Sequence, residues 1–300
     1  MKQLTSIIRF PLREAYIAWR FIRYDVTATI MPGLTFMLVS WLYSKEPWER
    51  LPFYIICSFC FMLLYVYTFC MSNQINSVEE DRLNKPDRPL PAGLITVEAT
   101  YLRMTVYNLF FVALAHALHL FWYAIAWQLV TMLLNQAHWS QHWISKNLLA
   151  MSMGCAILIS SQWQIVQPLS FGIAAFICII SLWIGIGASI QDIRDQEGDR
   201  KVGRRTLPID IGDGKARAVL GVHFLIISPL LVFLLILSQA GSHRIMINPV
   251  IAVVFIMSVG ISWWIAYRLW TYRAKMADRI SYQIFLCMFS YLLISPCFLR

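Results

Sequence analysis

The sequence predicts an all-α, polytopic membrane protein with nine transmembrane helices. Hydrophobic residues make up 59% of the chain and charged residues only 14%, against the roughly one quarter charged in an ordinary soluble domain. Apolar runs near the roughly 20 residues needed to cross a bilayer recur along its length. The basic residues between those runs crowd into alternate connections, as they do in cytoplasmic loops. No linker, low-complexity run or soluble segment interrupts the pattern, so residues 1–300 read as a single domain.

Met1 to Tyr24 comes first, and it lacks the apolar core and small-residue cleavage site of a secretory signal. The segment PLREAYIAWRFIRYD reads as an interfacial amphipathic helix, which makes residues 1–25 an N-terminal arm. Trp19 and Tyr24 would lie at headgroup depth, with the arginines on the polar face. The expected spans then run Val26 to Tyr43, Leu51 to Met71, Ala99 to His119, Leu120 to Leu134, Leu148 to Ile165, Leu169 to Ile190, Val219 to Gln239, Ile247 to Trp270 and Ile280 to Leu299. The fourth is short and has almost no linker from the third.

Twenty-one of the 25 Lys and Arg residues fall on one side of this topology, leaving Lys45, Arg50, Arg244 and Arg300 for the other. The expectation is an N-terminus inside and a C-terminus outside, in an integral membrane protein of the endoplasmic reticulum if the source is eukaryotic. The net charge of +9 follows from that topology and from anionic lipid in the bilayer, so nucleic acid is not an expected partner. Seven cysteines lie scattered within the spans and form no disulfide framework; the CxxC of Cys57 and Cys60 reads as helix packing. His116, His119 and His223 read as packed or interfacial side chains. A transporter would need ionisable residues lining a path through the spans, and the predicted cores hold almost none.

Half of the 16 carboxylates lie in two polar stretches, Asn73 to Gly93 (NQINSVEEDRLNKPDRPLPAG) and Gln191 to Ile209 (QDIRDQEGDRKVGRRTLPI). Both segments, 73–93 and 191–209, are expected on the cytoplasmic side. On a helix, Asn73, Ser77 and Asp81 share an arc of about 80°, with Glu80 beside them and Glu79 turned away. That set is all oxygen, the ligand type that Mg²⁺ accepts while keeping several waters; the alternative is a solvated helix end. Asp192, Asp195 and Asp199 fall within about 60° of one helical face, with Glu197 off it. Three carboxylates so placed repel one another unless a positive group sits among them. A metal ion would supply it, or the neighbouring arginines would make a salt-bridged loop. Two such faces opposed across a cavity suit a diphosphate, with Lys85, Arg88, Lys146, Arg204 and Arg205 as the available cations. The apolar interior below would accept a hydrocarbon tail, and its aromatics would stabilise a cation through their π faces. An isoprenyl diphosphate is the substrate that combination implies.

The chain resembles the UbiA superfamily of intramembrane prenyltransferases. DRLNKPDRPLPAG from Asp81 looks like the continuation of that family's first motif, and DIRDQEGDRKVGRRTLPI from Asp192 is close to its DxxDxxGD…G…TLP signature. The resemblance implies nine helices around a central cavity, Mg²⁺ as cofactor, and Asp192, Asp195 and Asp199 on the metal side of the diphosphate. It also implies that Lys146 contacts the diphosphate. The first motif departs from NDxxDxxxD: Gln74 replaces its second acid and Ser77 its middle aspartate. Asn73, Ser77 and Asp81 are instead similar to the NxxxSxxxE metal triad of soluble class I terpene synthases, so metal binding does not require the missing acids. This likeness to the fungal UbiA-type terpene cyclases implies a Mg-dependent cyclase acting on a C15 or C20 isoprenyl diphosphate. A prenyltransferase using an aromatic acceptor is the alternative. In either, Asn73, Ser77, Glu80 and Asp81 would hold metal from one side and Asp192, Asp195 and Asp199 from the other. Asp192, Asp195, Asn73 and Asp81 would be catalytic, and Lys85, Arg88, Lys146 and Arg204 would clamp the departing pyrophosphate.

Overall fold

A computed structural model describes residues 2–245 and 249–299. The expected start of the eighth span at Ile247 and the outer position of Arg300 lie outside the described residues. Among those residues every named element is helical, and a single parallel bridge joins His142 to Arg205. The order is α1 (Lys2–Ile22), α2 (Ile30–Ser44), α3 (Leu51–Asn76), α4 (Val78–Asn84), α5 (Val97–Ala117), α6 (Phe121–Asn135), a π-helical turn (Ile144–Met151) leading into α7 (Ser152–Gln164), α8 (Phe171–Gly187) and α9 (Ile190–Lys201). It continues with α10 (Leu207–Ile211), α11 (Asp213–Val222), a π-helical turn (His223–Ile227), α12 (Ser228–Ile245), α13 (Pro249–Thr271), α14 (Lys275–Ile294) and α15 (Pro296–Leu299).

Each of the nine expected runs holds helix. Among the described residues five continuous helices are long and apolar enough to cross a membrane, namely Trp48–Asn76, Ile144–Gln164, Asp213–Gln239, Pro249–Thr271 and Lys275–Phe298. A sixth is counted if α8 and α9, bent by 43° at their junction, form one span. The remaining runs are shorter or more polar. Helices α2 and α6 have 15 residues each, and α5 carries Glu98, Arg103, Asn108 and His116 within its 21.

Packing closes these helices into a ring. Helices α2, α3, α6, α7, α8, α12, α13 and α14 contact one another in that order, and α14 returns against α2. Large side chains fill the interior, among them Phe36, Phe61, Phe111, Trp163, Trp183 and Phe285, all essentially without exposed surface. The outer face carries Phe53, Leu109, Phe110, Trp122, Ile256 and Trp263, all exposed. Apolar surface of that extent is unusual on a protein bathed in water and is ordinary against lipid tails. All seven cysteines are free, and His223 is buried without a hydrogen-bond partner, which fits packing rather than proton relay.

Two charged clamps tie the polar end of the bundle together. Arg20 of α1 and, just past its end, Arg23 and Tyr24 all engage Asp87, Tyr24 Oη donating to its Oδ1 at 2.7 Å, and Arg103 of α5 pairs with Glu14. The N-terminal arm is therefore docked on the loop of the first polar segment. In α11, Arg217 is only 3% exposed and donates to both oxygens of Asp278, at 2.7 and 2.8 Å. Its Nε reaches Asp213 at 3.0 Å and its Nη1 the Tyr272 carbonyl at 3.1 Å, joining α11, the end of α13 and the start of α14. Removing one partner of a buried pair leaves the other charge uncompensated. Asp278→Ala should lower stability by about 3 kcal/mol, read as an earlier thermal unfolding transition of the purified protein in detergent. An unchanged transition would show that Asp213 alone satisfies Arg217.

Candidate active site

The first polar segment is built where α3 stops. Ser77 interrupts the helix, and α4 begins at Val78. The Ser77 hydroxyl donates to the Asn73 carbonyl at 2.8 Å and lies 3.3 Å from Asp81 Oδ2, so the three expected residues converge despite the break. Arg88 completes the group: its Nη1 donates to both Asp81 oxygens at 2.9 Å and lies 3.5 Å from Asn73 Oδ1. Asn135, at the end of α6, accepts from Asn73 Nδ2 at 3.4 Å and itself donates to Ser72 Oγ at 3.0 Å. Gln74, which stands where the family pattern has an acid, points elsewhere and donates to the Phe21 carbonyl at 3.0 Å. Glu79 is exposed and paired with Arg82.

The second segment is α9, and each of its three aspartates has a cation. Asp192 is buried and accepts from Lys146 Nζ at 2.7 Å and from Asn147 Nδ2 at 2.8 Å. Asn147 also donates to Ser189 Oγ at 3.0 Å. Arg194 grips Asp195 through two bonds, at 3.0 and 3.1 Å, and lies 4.8 Å over the Tyr282 ring. Arg204 binds Asp199 at 3.3 Å and Glu80 at 2.7 Å, so one guanidinium bridges the two segments. Glu197 is exposed and pairs with Lys201. Arg205 differs from expectation. Its backbone is clipped to the chain before α7, accepting from Trp143 N at 3.0 Å and donating to the Gln141 carbonyl at 2.7 Å, while its exposed side chain turns outward to Asp210. It is not one of the cavity cations.

These segments face a cavity of about 220 Å³. Asn73, Glu80, Lys85, Asp195, Asp199 and Arg204 line its polar end; Tyr65, Phe69, Trp127, Ile184, Phe285 and Phe289 line the apolar part. A second cavity, of about 830 Å³ beside α14, shares Asn84, Lys85 and Asp195 with it. Asp81, Asp192, Arg88 and Lys146 stand at or just behind the polar wall. Among the described residues no three Asp, Glu, His or Cys side chains stand together as a preformed metal cluster. The reason is electrostatic: clustered buried carboxylates are costly unless compensated, and here each is held by Arg or Lys. Asp199 is the partial exception, because its Oδ2 is buried with no partner. Burial, with Asp192 and Glu80 nearby, outweighs Lys146 and Arg204 and pushes its carboxyl up to about 6. Burial also raises Asp195, yet the Arg194 bonds and charge hold it below the ordinary carboxylate range. Lys85 is lowered by burial first and by Arg88 second, against the pull of Asp25 and Asp81.

Three contributors were not singled out by the sequence. Asn147 and Asn135 are lone amides at helix ends, a weaker form of the signal that marked the two segments. Asp25 lies in the connection between α1 and α2, lines the cavity, and sits 3.7 Å from Arg88 and 3.4 Å from the Cys70 sulfur. Nothing in its local sequence distinguishes it from an ordinary loop aspartate.

A ring of apolar helices with two polar segments meeting over one aromatic-lined cavity defines a polytopic membrane enzyme. The chain belongs to the UbiA prenyltransferase family, whose pattern matches residues 30–293. It is 29% identical over 279 residues to somaliensene A/B synthase of Streptomyces somaliensis, covering 93% of this chain and 91% of that one. It is 32% identical over 209 residues to diterpene cyclase eriG of Hericium erinaceus, covering 69% and 68%. A UbiA homolog from Archaeoglobus fulgidus, solved bound to DMAPP and Mg²⁺, shares the fold with a TM-score of 0.63 at 14% identity, over 93% of this chain and 99% of that one.

The placement of Lys146 and Asn147 depends on a close approach of α8 to their π-helical turn. A Cβ on Gly185 would overlap the Ser152 hydroxyl and come within 3.0 Å of the Asn147 carbonyl oxygen. Overpacking of this kind costs about 1–3 kcal/mol. Gly185→Ala should therefore lower thermal stability and reduce turnover by displacing both Asp192 partners. Wild-type values for both would show that the turn yields freely.

Proposed function

We propose that the protein is a Mg²⁺-dependent intramembrane terpene cyclase that ionises a C15 or C20 isoprenyl diphosphate and cyclises the resulting carbocation. The observation that carries this reading is the cavity itself, with a charged oxygen-and-cation end leading into an aromatic, apolar interior. The residues present fit a hard divalent cation. Asn73, Glu80, Asp195 and Asp199 offer oxygen ligands from opposite sides, Ser77, Asp81 and Asp192 stand next to them, and Asp199 has an orphaned buried oxygen. When bound, Mg²⁺ would neutralise the leaving diphosphate.

The chain's own groups do the rest. Lys85, Arg88, Lys146 and Arg204 bind diphosphate oxygens by charge-assisted hydrogen bonds and hold the leaving group away from the cation. Asn135 and Asn147 orient Asn73 and Asp192. The rings of Tyr65, Phe69, Trp127 and Phe285 present π faces to positive charge and exclude water. The altered first motif and the names of the relatives favour cyclisation, whereas the family as a whole supports transfer to an acceptor such as an aromatic ring. The charged end is taken to face the cytoplasm, from the distribution of basic residues, in a nine-crossing topology.

The test is incubation of membranes containing the protein with Mg²⁺ and geranyl, farnesyl or geranylgeranyl diphosphate, without acceptor, followed by mass spectrometry. A cyclic product that disappears with EDTA and in Asp192→Ala is the expected result. Consumption only when an aromatic acceptor is added would move the protein to the prenyl-transferring reaction, and full activity in Asp192→Ala would sink the metal assignment.

The raised value of Asp199 fixes the direction of a pH effect. Its carboxyl is ionised above about 6 and neutral below it, so turnover should fall as the pH drops through about 6. A bound cation favours the ionised form, so the midpoint should move to lower pH as Mg²⁺ is raised. A pH profile with no limb in this range, or one insensitive to Mg²⁺, would contradict the role of Asp199.

A further inference from the structure

Two residues of the cavity wall, Tyr65 on α3 and Trp127 on α6, stand a common distance from the polar groups of their own helices. Tyr65 precedes Asn73 by eight residues and Trp127 precedes Asn135 by eight. Along α3 and α6 that spacing is about 12 Å at 1.5 Å per residue. On these two helices Asn73 and Asn135 belong to the polar layer and Tyr65 and Trp127 to a layer about 12 Å below it.

On the α3–α6 side the deeper layer is walled by two rings, while on α7 the lining continues one turn further to Leu158. Tyr65 and Trp127 stack with centroids 4.0 Å apart and planes within 7°. Both rings are pinned: Trp127 Nε1 donates to the Tyr65 carbonyl at 2.9 Å, and the Tyr65 hydroxyl donates to the Gly154 carbonyl at 2.8 Å. Gly154 leaves the room the indole occupies, since a Cβ there would sit 2.8 Å from the Trp127 ring. Beneath Tyr65 the bundle is solid, with Phe61 and Phe111 packed on one another at 5.0 Å and fully buried. A chain descending from the polar layer along α3 and α6 meets a wall that cannot rotate aside without breaking two buried hydrogen bonds.

We propose that the Tyr65–Trp127 pair, seated on Gly154, is the floor that sets the longest isoprenyl chain the cavity accepts. The proposal rests on the reading of the cavity as an isoprenyl diphosphate site. It assigns chain-length selection to residues outside both polar segments. Trp127 is the adjustable member, because a smaller side chain there opens space beside Gly154 while Tyr65 keeps its own bond.

The test separates binding from turnover. Purified wild type, Trp127→Leu and the milder Trp127→Phe are each titrated, with Mg²⁺, against geranyl, farnesyl, geranylgeranyl and geranylfarnesyl diphosphate, and protection against thermal unfolding is recorded. The expected result is a preferred length one isoprene unit longer in Trp127→Leu, and in Trp127→Phe a severalfold gain for the longer chain relative to the shorter one. An identical length profile in wild type and a folded Trp127→Phe would overturn the floor. Binding with a shifted length profile but no cyclic product in wild type would overturn the cyclase reading and leave the floor standing. Protection by none of the four diphosphates would overturn the diphosphate reading and the floor with it.

Discussion

Arg204 holds the two polar segments together, with Glu80 at 2.7 Å on one side and Asp199 at 3.3 Å on the other. The rest of the charged end can be understood from the problem that contact solves. Carboxylates at the rim of an apolar bundle lose much of their hydration, and each must find a compensating charge or hydrogen bond. Arg88 compensates Asp81, Lys146 and Asn147 compensate Asp192, and Arg194 compensates Asp195. Arg88, Lys146 and Arg204 are also among the cations proposed above to bind a diphosphate. A site of this kind is stable by itself because its halves neutralise each other, and on the proposed function a substrate would exchange for that neutralisation.

The scaffold serves that charge pairing. The break at Ser77 turns the first segment towards Arg88, and the 43° bend between α8 and α9 carries three aspartates under the mouth of the cavity. The π-helical turn before α7 places Lys146 and Asn147 side by side on Asp192. The backbone clip between Arg205 and the 141–143 segment keeps Arg204 over the cavity. Each of these irregular features lies beside a candidate site residue, as π turns and broken helices commonly lie beside functional sites.

Below the charged end the physics changes from pairing to packing. The aromatic residues there have rigid positions set by stacking and by single hydrogen bonds, as in Trp127 to Tyr65 and Tyr65 to Gly154. On the proposed function, polar chemistry at one end of the cavity and inert shape at the other would separate binding of the leaving group from holding of the hydrocarbon.

What the sequence determined by itself follows from periodicity and composition. A helix that spans lipid must satisfy its own backbone, so apolar runs and basic connections were enough to mark the helices. Helical spacing anticipated that Asn73, Ser77 and Asp81 meet, although the chain brings them together across a break at Ser77, and it separated Glu79 and Glu197 from the rest. Tertiary structure decided what no local pattern encodes. Arg204 faces the cavity while its neighbour Arg205 turns outward to Asp210, because a backbone bridge to a segment some 60 residues away sets their orientation. Asn135, Asn147 and Asp25 enter the site only because three distant helix ends meet there. The aromatic wall of the cavity depends on rings from α3 and α6 stacking against Gly154 of α7. Local sequence sets which face a side chain takes on its own helix; which partner it meets depends on how separate helices pack, and in lipid that is a matter of shape and charge compensation across the whole ring.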